Sequence, residues 1–193
     1  MERPHAAVSL VRVLGLAMLK LYKQGRGGMR YWEAWARGVW VVVHEGKLGE
    51  RGKVRHLEPQ EGKTPEQMIA KAAETPRSKG YSEIPMEEHY QVVVQYRLET
   101  WGSSEDLAKA HKIEGLLNEC LGWTGNGHCD GNDIGSGSMN IYSVVVDPQL
   151  AVETIITELR EQGLLERAVV AVRYREEYRV LYPADFNGEF SLL

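Results

Sequence analysis

The sequence contains few of the features that mark secreted or membrane-spanning proteins. Among its 193 residues there are only two cysteines, Cys120 and Cys129, which excludes a disulfide-dense scaffold. No apolar run reaches the roughly 20 residues that a membrane-spanning helix needs, because Arg12 and Lys20 interrupt the most apolar N-terminal stretch. No signal peptide of the usual form precedes the cysteines. We therefore expect a cytoplasmic protein without a disulfide scaffold or a transmembrane segment.

The chain also lacks a basic excess, since its formal net charge is −4. The charge is unevenly distributed: it is +4 over residues 1–28, +2 over residues 29–85 and −10 over residues 86–193. This asymmetry predicts two units with different partners. The acidic C-terminal part repels a phosphate backbone, whereas the N-terminal part tolerates one. Charge alone therefore gives only weak support for binding to nucleic acid.

Residues 1–28 show the spacing of an amphipathic helix. Their apolar positions recur every three or four residues, at Val8, Val11, Leu14, Met18 and Leu21. Such a cationic segment can lie on a membrane surface, imitate a targeting peptide or pack on its own domain. Because Arg26-Gly27-Gly28 has the composition of a flexible joint, we predict an N-terminal helix or extension that ends there, with a compact domain starting at Met29.

Residues 29–85 have the pattern of a small sheet followed by a helix. Aromatic and β-branched residues alternate with polar ones, and turns at Arg37-Gly38 and between Gly46 and Gly52 divide them into two or three antiparallel strands. A helix is predicted next because Thr64 is an N-cap residue, Pro65 suits the first helical position and Gln67 completes a capping box. Its apolar face contains Met68, Ile69, Ala72 and Ala73, and Pro76 ends or kinks it.

This order of elements resembles the WGR domain, a small sheet-and-helix module of poly(ADP-ribose) polymerases and bacterial proteins. The matching positions, within residues 29–84, are Tyr31, Trp32 and Glu33 in the first strand, Gly46, Leu48, Gly49 and Gly52 in the turn, and Gly80 and Tyr81 after the helix. Where the family has Trp-Gly-Arg, this chain has Glu45-Gly46-Lys47. The resemblance implies DNA-break binding, with the tryptophan stacking on a nucleotide and the arginine contacting the backbone. A glutamate does not stack, and Lys47 offers only a point charge.

The residues that remain for contact with nucleic acid form a short basic cluster around this turn. They are Lys47, Arg51, Lys53 and Arg55, and Trp32, Trp35 and Trp40 lie nearby in sequence. The alternative interpretation is a solvated turn above a tryptophan-rich core, since the alternating strand pattern already explains the aromatic residues.

Residues 86–193 predict a ferredoxin-like βαββαβ sandwich, so that the whole chain belongs to the α+β class. A strand over His89–Thr100 is followed by a helix that starts near Ser103, and a second helix begins at Asp147-Pro148 and ends at Gly163. The last run, residues 168–183, fits one extended strand or a hairpin that turns between Arg175 and Glu177.

Between these elements lies a glycine-rich stretch, Gly125–Val146. The interpretation that fits it best is a turn joining the second and third strands, with glycines at bulges and positive φ angles and with Asp130, Asn132 and Asp133 capping turns. Its alternative is a ligand or metal contact at His128, Cys129, Asp130 and Asp133, although a metal needs about four suitably spaced ligands. The stretch is also similar to a group of bacterial ferredoxin-like domains of unknown function.

No catalytic pattern accompanies these features. His128 and Cys129 are adjacent on a predicted strand, so their side chains point to opposite faces, and Cys120 is predicted to be buried and inert. We therefore predict a non-enzymatic binding protein without a cofactor, associated with DNA through the WGR-like module. The alternative is a protein-interaction or immunity-type protein whose acidic second domain binds another protein.

Overall fold

The fold is a mixture of helices and antiparallel sheets, as the sequence predicts. In the computed structural model, residues 11–13, 16–99 and 101–192 are described. The chain divides into two compact units, Met1–Ile84 and Pro85–Leu193. Within the described residues, each unit contains one five-stranded sheet, and three α-helices are divided between the two units. No helix within the described residues has both the length and the apolar character needed to cross a bilayer.

The sheet of the first unit is an antiparallel meander, in which strands that follow each other in sequence are neighbours in space. Its strands, in sheet order, are β1 (Val11–Val13), β2 (Leu16–Gly25), β3 (Gly28–Arg37), β4 (Trp40–Lys47) and β5 (Lys53–Leu57). The predicted turn at Arg37-Gly38 joins β3 to β4, and Gly38 has a φ angle of 63° there. Strand β5 forms one edge of this sheet.

The helix predicted for residues 1–28 is wrong over the part that the structure describes, since Val11–Val13 and Leu16–Gly25 are strands. The burial of β2 has a period of two, with Leu19 and Leu21 in the core beside the helix of this unit. The expected joint is instead the hairpin turn between β2 and β3, where Gly28 has a φ angle of 105°. Residues 1–10, 14 and 15 lie outside the described residues.

Helix α1 (Pro65–Ser78) confirms the local signals in the sequence. The Thr64 hydroxyl accepts from the backbone of Gln67, whose side chain accepts from the backbone of Thr64, so that both halves of the capping box are present. Pro76 lies inside the last turn, and the helix continues two residues beyond it. The helix packs on the sheet through a core formed by Leu19, Leu21, Trp32, Ala34, Val41, Val43, Met68, Ile69 and Ala73.

The second unit places two helices on one face of an antiparallel sheet. Its elements, in chain order, are β6 (Tyr90–Arg97), α2 (Ser104–Trp123), β7 (Gly127–Gly135), β8 (Ser138–Val145), α3 (Pro148–Glu161), β9 (Ala168–Tyr174) and β10 (Glu177–Tyr182). The strand order is β10-β9-β6-β8-β7. Side chains of Val92, Val94 and Tyr96 on β6 join residues of both helices in one core. The final run of the sequence is therefore a hairpin, turning at Arg175 and Glu176.

The first part of the glycine-rich stretch forms an edge strand, β7, where a turn was predicted. Gly127–Gly135 pairs along its length with β8, and the register shifts at a bulge between Cys129 and Gly131. The reversal to β8 is confined to Ser136 and Gly137, whose φ angles are 50° and 80°. Glycine is required at position 127, where a Cβ would lie 2.1 Å from the carbonyl oxygen of Val144.

Candidate functional site

The four basic residues predicted to contact nucleic acid lie along one side of the first unit. Lys47 ends β4, Arg51 lies in the loop 48–52, and Lys53 and Arg55 belong to the edge strand β5; all four are exposed. Lys53 pairs with Glu45, and Arg55 pairs with Val43. Because Val43 belongs to the core with α1, the side chains of Lys53 and Arg55 lie on the α1 side of the sheet.

Lys47 forms an ion pair with a neighbouring glutamate. Its ammonium nitrogen lies 2.7 Å from Oε1 of Glu50, three residues along the chain, and both side chains are exposed. A surface ion pair of this kind contributes less than about 1 kcal/mol to stability and is screened by salt. Lys47 therefore retains access to solvent, but part of its charge is neutralised by its neighbour.

A groove of about 460 Å³ lies between α1 and the face formed by β3, β4 and β5. We call it the basic groove, because its lining includes three cationic side chains and one carboxylate. Its lining residues are Trp32, Glu45, Arg55, Leu57, Gln60, Met68, Lys71, Ala72, Thr75, Pro76, Lys79 and Tyr81. Trp32 and Met68 are buried, whereas Arg55, Lys71 and Lys79 are exposed. The groove thus combines an apolar inner side with cations that reach solvent.

Sequence analysis identified Arg55 but missed Lys71 and Lys79. A signal for both was present, because Lys71, Thr75 and Lys79 are spaced four residues apart and therefore share one side of a helix. That stripe lines a groove only because the fold places Arg55 of β5 opposite it, and this placement depends on tertiary structure. Tyr81, directly after the last turn of the helix, also lines the groove.

The opposite face of the same sheet holds a buried polar network. The Glu33 carboxylate lies 2.7 Å from Nδ1 of His44, and Nε2 of His44 lies 2.8 Å from the hydroxyl of Tyr31. The Lys20 ammonium lies 3.0 Å from the second oxygen of Glu33. Glu33 and His44 are 3% and 1% exposed, so each depends on these partners for hydrogen bonds that water does not supply.

The electrostatics of this network favour a charged lysine and a protonated tyrosine. Burial alone lowers the pKa of Lys20, but the attraction of Glu33, the influence of Tyr22 and the hydrogen bond to Glu33 together outweigh it, so the pKa is raised. Burial also raises the pKa of Tyr31, and the negative charge of Glu33 adds to the effect. The Tyr31 hydroxyl therefore remains a hydrogen-bond donor at any physiological pH.

A side chain of this network and one backbone hydrogen bond hold the loop that carries Arg51. The Tyr31 hydroxyl reaches the carbonyl oxygen of Glu50 at 3.4 Å, and the amide of Leu48 donates to the carbonyl of Met29 at 2.9 Å. Two glycines, Gly46 and Gly52, allow the loop to lie close to the Tyr31 side chain. A Cβ at Gly52 would lie 2.1 Å from the Tyr31 hydroxyl, and one at Gly46 would lie 2.9 Å from Cα of Gly52. Gly46 therefore has a packing role.

The alternative site at His128, Cys129, Asp130 and Asp133 is not assembled. His128 and Cys129 are consecutive on β7, so their side chains leave opposite faces of the sheet. The Asp133 carboxylate instead accepts hydrogen bonds from the Asn140 amide at 2.7 Å and the Tyr142 hydroxyl at 2.6 Å. Across residues 11–13, 16–99 and 101–192, no group of three or more histidine, cysteine, aspartate or glutamate side chains is placed to hold a metal ion.

Both cysteines are partly buried thiols that pack against the core of the second unit. Burial raises the pKa of Cys120 to about 12, and nearby Glu158 adds to the rise. Burial also raises the pKa of Cys129, whose thiol lies 3.1 Å from the carbonyl oxygen of Tyr142. Because the thiolate is the nucleophilic form, neither side chain has the properties of a catalytic cysteine.

Comparisons with known proteins give no further guidance on this site. No protein-family model, no curated protein and no solved structure matches the chain.

Proposed function

We propose that this chain is a non-enzymatic binding protein whose first unit contacts the phosphate backbone of nucleic acid through the basic groove. The observation that carries the proposal is the placement of Arg55 on β5 opposite Lys71 on α1 and Lys79 at the C-cap of that helix, with an apolar inner side between them. Phosphate contacts from lysine and arginine supply most of the affinity in sequence-independent binding. Lys53 and Arg51 extend the same positive surface along the edge strand and its loop.

Two structural assignments accompany this proposal. A WGR-like identity for the first unit is supported by its antiparallel sheet with one helix and by the packing of Gly46 and Gly52. A ferredoxin-like identity for the second unit is supported by its strand order. If β6, β7, β8 and β9 are counted as strands 1 to 4 of the βαββαβ sequence, their order in the sheet is 4-1-3-2.

The two unpaired cysteines support a reducing compartment, so the cytoplasm is the proposed location.

The charges also predict that binding is weak and sensitive to salt. Residues 1–84 have a net charge of +6, but residues 85–193 have a net charge of −10 and oppose association with a polyanion. Within the groove, Glu45 faces the same space as the three cations. This glutamate replaces the stacking tryptophan of the WGR signature, so backbone contacts should dominate over contacts with bases.

Charge changes in the groove test the proposal directly. We expect Lys71→Glu to weaken binding to a single-stranded DNA oligonucleotide at low salt by about tenfold and to reduce the salt slope by roughly one unit. Glu45→Lys should strengthen binding by a similar factor, because it removes the repulsive carboxylate. Fluorescence anisotropy across a salt series measures both effects.

The matched control is Arg37→Glu, which makes the same charge change at an exposed residue of the first unit outside the groove lining. If Lys71→Glu and Arg37→Glu weaken binding equally, the effect comes from net charge alone. That result, or unchanged binding in Glu45→Lys, would contradict a role for the groove.

A second function, binding of a basic protein partner by the second unit, is favoured by two exposed apolar side chains and by the negative charge of this unit. The Trp101 side chain is 80% exposed, and Leu107, in the first turns of α2, is 45% exposed. Exposed tryptophan is enriched among the residues that dominate binding at protein interfaces. The net charge of −10 in this unit attracts a basic partner.

This second function predicts that Trp101→Ala abolishes recovery of a specific partner in affinity purification followed by mass spectrometry. Val39→Ala is the control, because Val39 is 63% exposed but belongs to the first unit. A partner retained by Trp101→Ala would show that this tryptophan does not anchor the interface.

A further inference from the structure

The basic groove offers apolar atoms that a ligand can reach. Trp32 is 2% exposed, but three other lining residues, Leu57, Ala72 and Tyr81, are only partly buried and pack against the core of the first unit. The groove volume of about 460 Å³ lies within the range of roughly 300–1,000 Å³ that is usual for pockets enclosing small organic molecules. The groove therefore has room for a ring of the size of a nucleobase as well as for phosphate contacts.

Tyr81 is held in place by the backbone on both sides of it. Its amide donates to the carbonyl oxygen of Pro76 in the last turn of α1 at 3.1 Å. The next residue, Ser82, exchanges two backbone hydrogen bonds with Tyr22 of β2, at 2.7 and 2.9 Å. The Lys23 ammonium lies 6.0 Å from the centroid of the Tyr81 ring. An aromatic surface with a cation beside it is thus fixed at the groove before a ligand binds.

The cations of the groove are spread along it and not gathered at one point. Lys71 and Lys79 are eight residues apart, which corresponds to about 12 Å along a helix axis. Arg55 lies across from them on β5. A free phosphate is bound by cations that converge on it, whereas separated cations suit different phosphates of one strand. The arrangement therefore fits a nucleic-acid strand better than a lone anion.

A duplex cannot use the apolar part of the groove. Its bases are paired and stacked on each other, so its outer surface consists of phosphates, sugars and base edges. In a single strand, a base can unstack and place its face against an aromatic side chain. Reachable apolar atoms beside separated cations therefore favour an unpaired strand.

We propose that the ligand of the basic groove is a single unpaired nucleic-acid strand, with one base packed on Tyr81 and with phosphates of the same strand at Lys71, Lys79 and Arg55. This inference rests on the proposed function, because it names the form of nucleic acid that the groove takes. Stacking on an aromatic ring tolerates any base, since every base has a π face. The chain is therefore expected to bind single strands with little sequence preference and duplexes more weakly.

The test uses fluorescence anisotropy of the full chain with three labelled probes of equal length. They are a thymine strand, the same strand paired with its complement, and a strand of abasic sites, which keeps the phosphates but has no bases. At one low salt concentration, we expect the thymine strand to bind about tenfold more tightly than either of the others. The salt slopes of the thymine and abasic strands should be equal, because their phosphate contacts are the same.

Variants of Tyr81 locate the stacking contact. Tyr81→Ala should weaken binding of the thymine strand by about tenfold and leave binding of the abasic strand unchanged. Tyr81→Phe keeps the ring and should retain the affinity. Tyr90→Ala is the control, because it removes a tyrosine that is 37% exposed and belongs to the second unit. Equal weakening of both strands by Tyr81→Ala would show an effect on phosphate contacts or on the fold, and it would overturn the stacking role.

The three probes also separate this inference from the proposed function. Absence of binding to all of them at low salt would contradict nucleic-acid binding by the groove, and the inference would be lost with it. Equal binding of the strand and the duplex, or of the thymine and abasic strands, would overturn the single-strand inference while the proposed function stands. These comparisons use the unaltered chain, so they do not depend on the folding of any variant.

Discussion

Replacing Glu33 by alanine is expected to lower the free energy of unfolding of the first unit by about 3–5 kcal/mol, the usual effect of removing one partner from a buried ion pair. The side chain is 3% exposed and lies within 3.0 Å of Lys20 and 2.7 Å of His44. Its removal leaves the buried imidazole N–H of His44 and the partly exposed ammonium group of Lys20 without their shared acceptor. Denaturant unfolding followed by circular dichroism measures the loss.

Two further variants separate the effect of charge from that of packing. Glu33→Gln keeps an acceptor for His44 but loses the charge opposite Lys20, so an intermediate destabilisation is expected. Glu74→Ala removes an exposed glutamate from α1 and should change stability by less than about 0.5 kcal/mol. A loss below about 1 kcal/mol for Glu33→Ala would show that the network contributes little to the fold.

Replacing Gly52 by alanine should destabilise the first unit by at least about 2 kcal/mol, because the added methyl group has no space. Its Cβ would lie 2.1 Å from the Tyr31 hydroxyl and 2.6 Å from the backbone carbonyl of Glu45. A side chain can rotate away, but the carbonyl of Glu45 belongs to β4 and moves only with the strand. Thermal unfolding of the variant measures the effect.

A second glycine of the first unit and a double variant provide the controls for Gly52. Gly27, in the turn between β2 and β3, has nothing within 4 Å of an added Cβ, so Gly27→Ala should be nearly neutral. Tyr31→Phe removes the hydroxyl that Gly52→Ala would strike, so the double variant should lose less stability than the sum of the two single losses. Strict additivity would indicate that the strain lies elsewhere.

The elements that sequence predicted correctly are those whose signals are local. The capping box at Thr64 and Gln67 and the N-cap at Ser103 each involve residues only three positions apart. Helical spacing within residues 1–28 was misleading, because the sequence fits two periods. Met18 and Leu21 are three residues apart, as on one face of a helix, whereas Leu19 and Leu21 are two residues apart, as on one face of a strand. The structure follows the second spacing. The pairing of β2 with β3, which a helical period does not reveal, places Leu21 opposite Trp32.

The candidate site was only partly predictable for the same reason. Arg55 was found as part of a basic cluster, but the groove exists because α1 packs on β2, β3 and β4 and so places Lys71 and Lys79 across from Arg55 of β5. The network of Lys20, Glu33, His44 and Tyr31 joins three strands through side chains, and no spacing in the sequence reveals it. In the second unit, the glycines that suggested a turn instead accommodate a bulged edge strand.

The most direct test of nucleic-acid binding by the basic groove is the salt dependence of the unaltered chain. Anisotropy of labelled single-stranded, nicked and blunt-ended DNA across a salt series gives the slope of log affinity against log salt. Contacts from three or four cations predict a slope of roughly −2 to −4. Absence of binding at low salt, or a slope near zero, would contradict the proposed function.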